Sequence, residues 1–129
     1  MYRQKKKSNS KYGNVKIEAG GFKFDSIREC NRYYDLLTLI KAGEIKELEL
    51  QKSFILIDTV HTTERTLQQC SYKTDFFYYD NKRQEYIAED VKGFKTDVYK
   101  IKMKLFIERY GKQVTFFENG AEQHYYSKK

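Results

Sequence analysis

The segment from Cys70 to Val91 constrains the fold of this chain more than any other. Cys70 to Tyr79 reads as a strand ending in the aromatic run Phe76-Phe77-Tyr78-Tyr79, a composition that favours extended backbone. Asp80-Asn81-Lys82-Arg83 is a turn, and Tyr86 to Val91 is the returning arm. In that arm Ala88, Asp90 and Lys92 share one face by the two-residue repeat, while Ile87, Glu89 and Val91 share the other. A β-hairpin is expected here, with acidic side chains set into both arms.

The segments on either side supply helices and further strands. Val15, Ile17 and Ala19 alternate, Gly20-Gly21 suits a tight turn, and Phe22 and Phe24 alternate on the return. Asp25-Ser26 opens a helix: Ser26 with Glu29 matches a capping box, and Ile27, Cys30, Tyr34, Leu37 and Leu39 or Ile40 form an apolar stripe. Lys41 falls in its last turn and Gly43 stops it. Ile45 to Ile57 reads as one or two strands, and polar, threonine-rich Thr59–Gln69 as a loop or ragged hairpin end. Gly93 lets the chain leave the sheet. Thr96 or Asp97 caps a second helix running to Tyr110, with Val98, Ile101, Leu105 and Tyr99, Met103, Phe106, Tyr110 as adjoining apolar rows. Gly111 ends it, Val114–Phe117 is a short strand, and Glu118–Lys129 is a polar extension carrying Tyr125 and Tyr126. This order predicts an α/β (α+β) fold, a mixed central β-sheet flanked by helices.

At 129 residues and 15.5 kDa, 40% of them apolar, the chain has enough material for one core. Residues 1–13 are expected to be a disordered basic arm and residues 14–129 a single domain. No apolar run approaches the roughly 18 residues of a membrane span, so no membrane partner is expected. Cys30 and Cys70 are too few for a disulfide scaffold and read as buried thiols in a reducing compartment. The formal charge of +7 comes from the ends: Arg3, Lys5, Lys6, Lys7 and Lys11 at one, Lys128 and Lys129 at the other. Between them, basic and acidic side chains balance. The charge therefore speaks for basic tails that bind phosphate or aid solubility, and the folded part must make its own case.

Several chemistries are excluded by what is missing. There is no phosphate-binding glycine loop and no dinucleotide fingerprint. His61 and His124 are the only imidazoles, so neither a histidine zinc cluster nor a four-thiolate site can be completed. What remains is acidic. Asp75 interrupts the aromatic strand, and the turn at residues 80–83 folds Asp90 back towards it. Asp90 and Lys92 stand about 6.6 Å apart along their strand. Two neighbouring carboxylates repel unless a cation lies between them, and Mg²⁺ takes one or two carboxylates with water and substrate phosphate. Glu29 could complete such a shell. Each residue also has a plain alternative: Asp75 as an edge-strand guard against aggregation, Asp90 and Lys92 as an exposed ion pair, Glu29 as the capping acid of Ser26.

These residues carry a resemblance. An acid in a strand (Thr74-Asp75), a short hairpin and acid-x-Lys (Asp90-Val91-Lys92), preceded by a helix bearing Glu29, resembles the PD-(D/E)XK nuclease superfamily. More closely, the chain is similar to small phage proteins of the DUF1064 type. The stretches that carry this are Gly21-Phe22-Lys23-Phe24-Asp25-Ser26, Ile45-Lys46-Glu47-Leu48-Glu49-Leu50-Gln51, Asp75-Phe76-Phe77-Tyr78-Tyr79-Asp80 and Glu89-Asp90-Val91-Lys92-Gly93-Phe94-Lys95-Thr96. The resemblance implies a restriction-endonuclease-like core, Mg²⁺ or Mn²⁺ held by Asp75, Asp90 and Glu29, and Lys92 beside them in a DNA endonuclease. It further implies a phage protein acting on duplex or branched DNA in a bacterial host cytoplasm. Thr74 stands where the superfamily usually has proline. Glu89 competes for the place of the second acid, and alternation along the strand favours Asp90. Gln51 is a supporting polar residue. Lys95, Lys100 and Lys102, with Lys5, Lys6 and Lys7 of the arm, are the candidate DNA contacts, and cutting two strands would most simply use a homodimer. Two other classes stay open: a non-catalytic nucleic-acid-binding or phage assembly module, and a protein-interaction domain using the aromatic side chains.

Overall fold

The computed structural model describes residues 3–6 and 15–123. The chain divides into two compact units, Met1–Glu44 and Ile45–Lys129.

In the first unit, β1 (Arg3–Lys6), β2 (Val15–Ala19) and β3 (Phe22–Phe24) form an antiparallel sheet in that order. Within the stretch expected to be a disordered arm, Arg3–Lys6 is instead a strand. Backbone groups pair along the edge of β2 whatever side chains they carry. Lys5 and Lys6 fall in β1. Lys7 lies outside the described residues, as do His124, Tyr125 and Tyr126. The β2–β3 turn is the expected one: Gly20 and Gly21 both have positive φ, at 56° and 85°, as a two-residue hairpin loop requires. Gly20 is fixed a second way, because a Cβ there would lie 3.1 Å from the Tyr33 hydroxyl.

Helix α1 (Ile27–Lys41) starts at Ser26, whose Oγ accepts the Glu29 N–H at 3.0 Å. It ends where Gly43, at φ 76°, returns its N–H to Ile40 and Glu44 returns its own to Leu39. Its buried face is Cys30, Tyr33 and Leu36 together with Glu29, and Ile27 and Ile40 are exposed. The stripe drawn through Ile27, Tyr34 and Leu37 is thus rotated by one position. Glu29 turns inward to cap, and Tyr33 packs against Phe22 and Phe24 with ring centroids 5.8 and 5.1 Å away.

The second unit is built on a five-stranded mixed sheet. Its strands are β4 (Ile45–Leu50), β9 (Phe76–Asp80), β10 (Glu85–Asp90), β11 (Val114–Glu118) and β12 (Ala121–Gln123), in the order β12-β11-β10-β9-β4. Only β10 and β11 run parallel, joined through α2 (Asp97–Tyr110). A separate ribbon pairs β5 (Ser53–Ile57) with β8 (Cys70–Lys73) and continues as β6 (Val60–His61) with β7 (Thr66–Leu67). The Thr59–Gln69 segment is therefore a hairpin end, where His61 Nδ1 meets Thr66 Oγ1 at 3.0 Å. Mixed sheet and helices together are consistent with a restriction-endonuclease-like α/β fold. Among the described residues, no helix is long and apolar enough to cross a membrane.

Local irregularities explain the sequence pattern. Ile45, Leu48 and Leu50 are spaced three then two because β4 bulges between Lys46 and Glu49, with Glu47 at φ 59°. The strand expected over Cys70–Tyr79 breaks at Thr74-Asp75, where the chain passes from the ribbon to the central sheet. There the Thr74 N–H and Oγ1 both turn to the Lys52 carbonyl, at 3.0 and 3.2 Å. The polar extension expected from Glu118 holds a further hairpin. Asn119 and Gly120, at φ 51° and 82°, form its two-residue turn.

Ribbon, helix and sheet meet in an aromatic core of Phe54, Tyr72, Phe77, Phe106 and Phe116. Phe106 is fully buried, with the rings of Phe54, Tyr72 and Phe116 at 4.9, 5.3 and 5.8 Å. Of the two apolar rows expected on α2, that of Tyr99, Met103, Phe106 and Tyr110 faces this core; of the other, Leu105 packs against it in part while Val98 and Ile101 are exposed. Replacing Phe106 with Ala should cost about 3–5 kcal/mol of unfolding free energy, measured by denaturant titration.

Candidate metal centre

The break between β8 and β9 places Asp75 at the mouth of the central sheet, opposite the end of β10. Two carboxylates then hold each other's strand. Asp90 Oδ1 accepts the Asp75 N–H at 3.0 Å, and Asp75 Oδ2 accepts the Val91 N–H at 2.7 Å. The Asp75 N–H also reaches the Glu89 carbonyl, and the Gln51 N–H reaches the Asp75 carbonyl, both at 3.0 Å. Gln51, with φ 56° at the end of β4, thus supports the site through its backbone, and its side chain is exposed.

Asp90 is 1% exposed, and its Oδ2 is buried without a hydrogen-bond partner. Lys92 Nζ lies 3.9 Å from that oxygen, an ion-pair distance beyond hydrogen bonding. Burial pushes the Asp90 carboxyl up to about 6. The Lys92 charge and the Asp75 N–H pull it back only in part, and the charge of Glu118 adds to the rise.

Lys92 lies beyond the end of β10, not on the strand as expected, and its backbone is clamped by Asn119. The Asn119 side chain accepts the Lys92 N–H at 2.8 Å and donates to the Lys92 carbonyl at 2.9 Å, while its own N–H donates to the Asp90 carbonyl. The Lys92 ammonium sits over the Tyr99 ring, 5.1 Å from its centroid. The Tyr99 hydroxyl donates to Glu118 Oε2 at 2.6 Å, and Lys95 Nζ meets Glu118 Oε1 at 2.9 Å. Burial raises the Glu118 carboxyl, but the hydrogen bonds from Tyr99 and Lys95, with the charges of Lys95 and Lys92, hold it below its ordinary value. Burial and Glu118 push the Tyr99 hydroxyl up, so it stays a donor.

Asp75, Asp90 and Lys92 are therefore brought together. Glu89 is not: it points to the opposite face of β10, buried, where the Tyr78 hydroxyl donates to it. Glu29 belongs to the first unit, buried, and accepts the Asp25 N–H at 3.2 Å. Of the candidate DNA contacts, Lys95 is paired with Glu118, Lys100 is exposed and Lys102 half-buried. Sequence reasoning missed Glu118 and Asn119. The Asn-Gly pair between Phe117 and Ala121 is a hairpin signal that extends the strand read over Val114–Phe117 to Glu118, adds β12 and places Glu118 beside Asp90, its register partner.

The family model for the "Protein of unknown function (DUF1064)" matches residues 9–126. The chain belongs to the DUF1064 family. No curated protein and no solved structure matches it.

The donors in this DUF1064 chain suit a hard cation. Among the described residues no three His, Cys, Asp or Glu side chains form a group that could hold a metal ion. A pair of carboxylates with one unpartnered buried oxygen fits Mg²⁺ or Mn²⁺, which complete their shells with water and phosphate.

The raised Asp90 carboxyl makes a stability prediction. In the unfolded chain it ionises near 3.8, in the folded chain near 6, so its contribution is fully present below pH 4 and lost as pH rises through 6. In metal-free buffer at pH 7.5, Asp90→Asn should be more stable than the wild type by about 2–3 kcal/mol, and the difference should vanish near pH 4. Thermal melts of both proteins across that range check it.

Proposed function

We propose that this chain is a divalent-metal-dependent DNA endonuclease. The observation that carries the reading is Asp90 Oδ2, a carboxylate oxygen buried without a hydrogen-bond partner beside Asp75 and 3.9 Å from the Lys92 ammonium. A buried acid left in this state costs stability, and a cation binding there would offset that cost.

In this reading Asp75 and Asp90 hold Mg²⁺ or Mn²⁺. When bound, the ion supplies Lewis-acid polarisation of a phosphodiester and lowers the pKa of a water. Lys92 faces the negative charge that builds on the phosphate oxygens as water attacks phosphorus and the P–O bond to the leaving oxygen breaks. Tyr99 and Asn119 position Lys92, one beneath its ammonium and one along its backbone. Glu118, kept ionised, holds Lys95 just before α2, and Lys100 stands exposed in the first turn of that helix. Duplex or branched DNA is the substrate class, in a phage protein working in the cytoplasm of its host.

Cleavage of plasmid, linear, single-stranded and four-way-junction DNA should require Mg²⁺ or Mn²⁺ and stop in EDTA. Asp90→Ala should abolish it and Lys92→Ala should slow it by about 100- to 1,000-fold. Cleavage untouched by Asp90→Ala would overturn the assignment.

Metal binding has its own readout. Mn²⁺ should raise the melting temperature of the wild type at pH 7.5 and leave that of Asp90→Asn unchanged.

One observation favours a second reading, a non-catalytic nucleic-acid-binding module. Asp75 Oδ2 and Asp90 Oδ1 each secure a backbone N–H, which is a sufficient structural task for two acids. That module would retain DNA in a salt-sensitive way in EDTA and turn over none of it with any metal.

A further inference from the structure

We propose that the outward face of α2 is the surface through which two copies of this chain form a two-fold dimer. Val98 and Ile101 are 62% and 60% exposed, and Leu105, half-buried because part of it packs against the core, stands at the edge of the same row. Their spacing of three and four residues sets them on successive turns as one row. Phe94, three residues before the helix, is 83% exposed.

The row fits itself. A two-fold contact requires that a surface be complementary to its own copy turned around. With the helices antiparallel and the dyad near Ile101, Ile101 meets the partner's Ile101, and Val98 comes within about one residue's rise of the level of the partner's Leu105. Asp97 and Lys104 flank the row on one side, seven residues apart. In the same arrangement Asp97 comes opposite the partner's Lys104, and the pair forms twice. Within the chain, neither is ion-paired with another described side chain. The contact does not depend on the catalytic reading.

Sedimentation of the full-length chain over a wide concentration range tests it. The wild type should be a dimer. Ile101→Asp, at an exposed position, should raise the dissociation constant by roughly 30-fold or more while leaving the melting curve of the monomer in place. Asp97→Lys and Lys104→Asp should each weaken the dimer, and the two combined should restore it. A wild type that is monomeric at every concentration would overturn the proposal, including the case in which Ile101→Asp instead weakens DNA binding. So would a dimer indifferent to Ile101→Asp, which would point to another apolar strip such as Ile57, Val60 and Leu67 of the ribbon. Charge exchanges that fail to restore the dimer would overturn the antiparallel register.

Discussion

The second unit depends on the exchange between Asp75 and Asp90. Each carboxylate accepts a backbone N–H beside the other, so the entry to β9 and the exit from β10 are fastened at one point. The chain changes sheets here: β8 belongs to the ribbon and β9 to the central sheet. A strand that leaves one sheet for another exposes backbone groups that neither ladder satisfies. Thr74 answers one side of that gap by binding the Lys52 carbonyl twice, and the two acids answer the other. The price of using Asp90 for this is its second oxygen, enclosed by the same packing and left without a hydrogen bond.

That double position separates what the acids do for the fold from what they offer a ligand. Asp90 Oδ1 is committed to the backbone and Oδ2 is not, so one side chain can fasten a strand and still present a lone pair. Lys92 is kept at 3.9 Å by restraints on both its ends, from Asn119 along the backbone and from the Tyr99 ring at the ammonium. A lysine free to close that distance would satisfy Asp90 directly. Glu118 enters as the third charge: it anchors the Tyr99 hydroxyl and raises the Asp90 carboxyl, so the network that holds Lys92 also makes ionised Asp90 harder to keep without a cation.

Much of this was legible in the sequence where local rules dominate. The Gly20-Gly21 turn, the Ser26 and Thr96 caps, the Gly43 stop and the face shared by Ala88 and Asp90 follow from residues within a few positions of one another. Alternation placed Asp90, and not Glu89, on the face of Phe77 and Tyr99. What was not legible depends on partners distant in the chain. The strand read through Cys70–Tyr79 has no local reason to break, since Thr74 is turned by Lys52, 22 residues away. Parts of the expected helix stripes, Ile27 on α1 and Val98 with Ile101 on α2, fall outside the core for the same reason. An apolar residue such as Ile27 or Val98 looks like core until another row takes the core, and period alone cannot say which of two adjoining rows wins.

Helix α2 shows how that competition is decided. Its buried row ends in Tyr99, whose ring serves the core through Tyr72 and the site through Lys92. Rotating the helix to bury Val98 and Ile101 would withdraw Phe106 from the aromatic core and lift Tyr99 away from Glu118. The larger aromatic row offers more area to bury and a hydroxyl with a charged acceptor, so it faces inward. Val98 and Ile101 of the smaller aliphatic row are left outside, with Asp97 and Lys104 along their border, as a consequence of the same choice that builds the site. The inward row of one helix thus serves the core and, through Tyr99, the candidate metal centre, while its outward side carries the proposed contact surface. A substitution on the outer row leaves the Tyr99–Glu118 and Tyr99–Lys92 contacts in place, which makes the outer face separable by mutation from the other two.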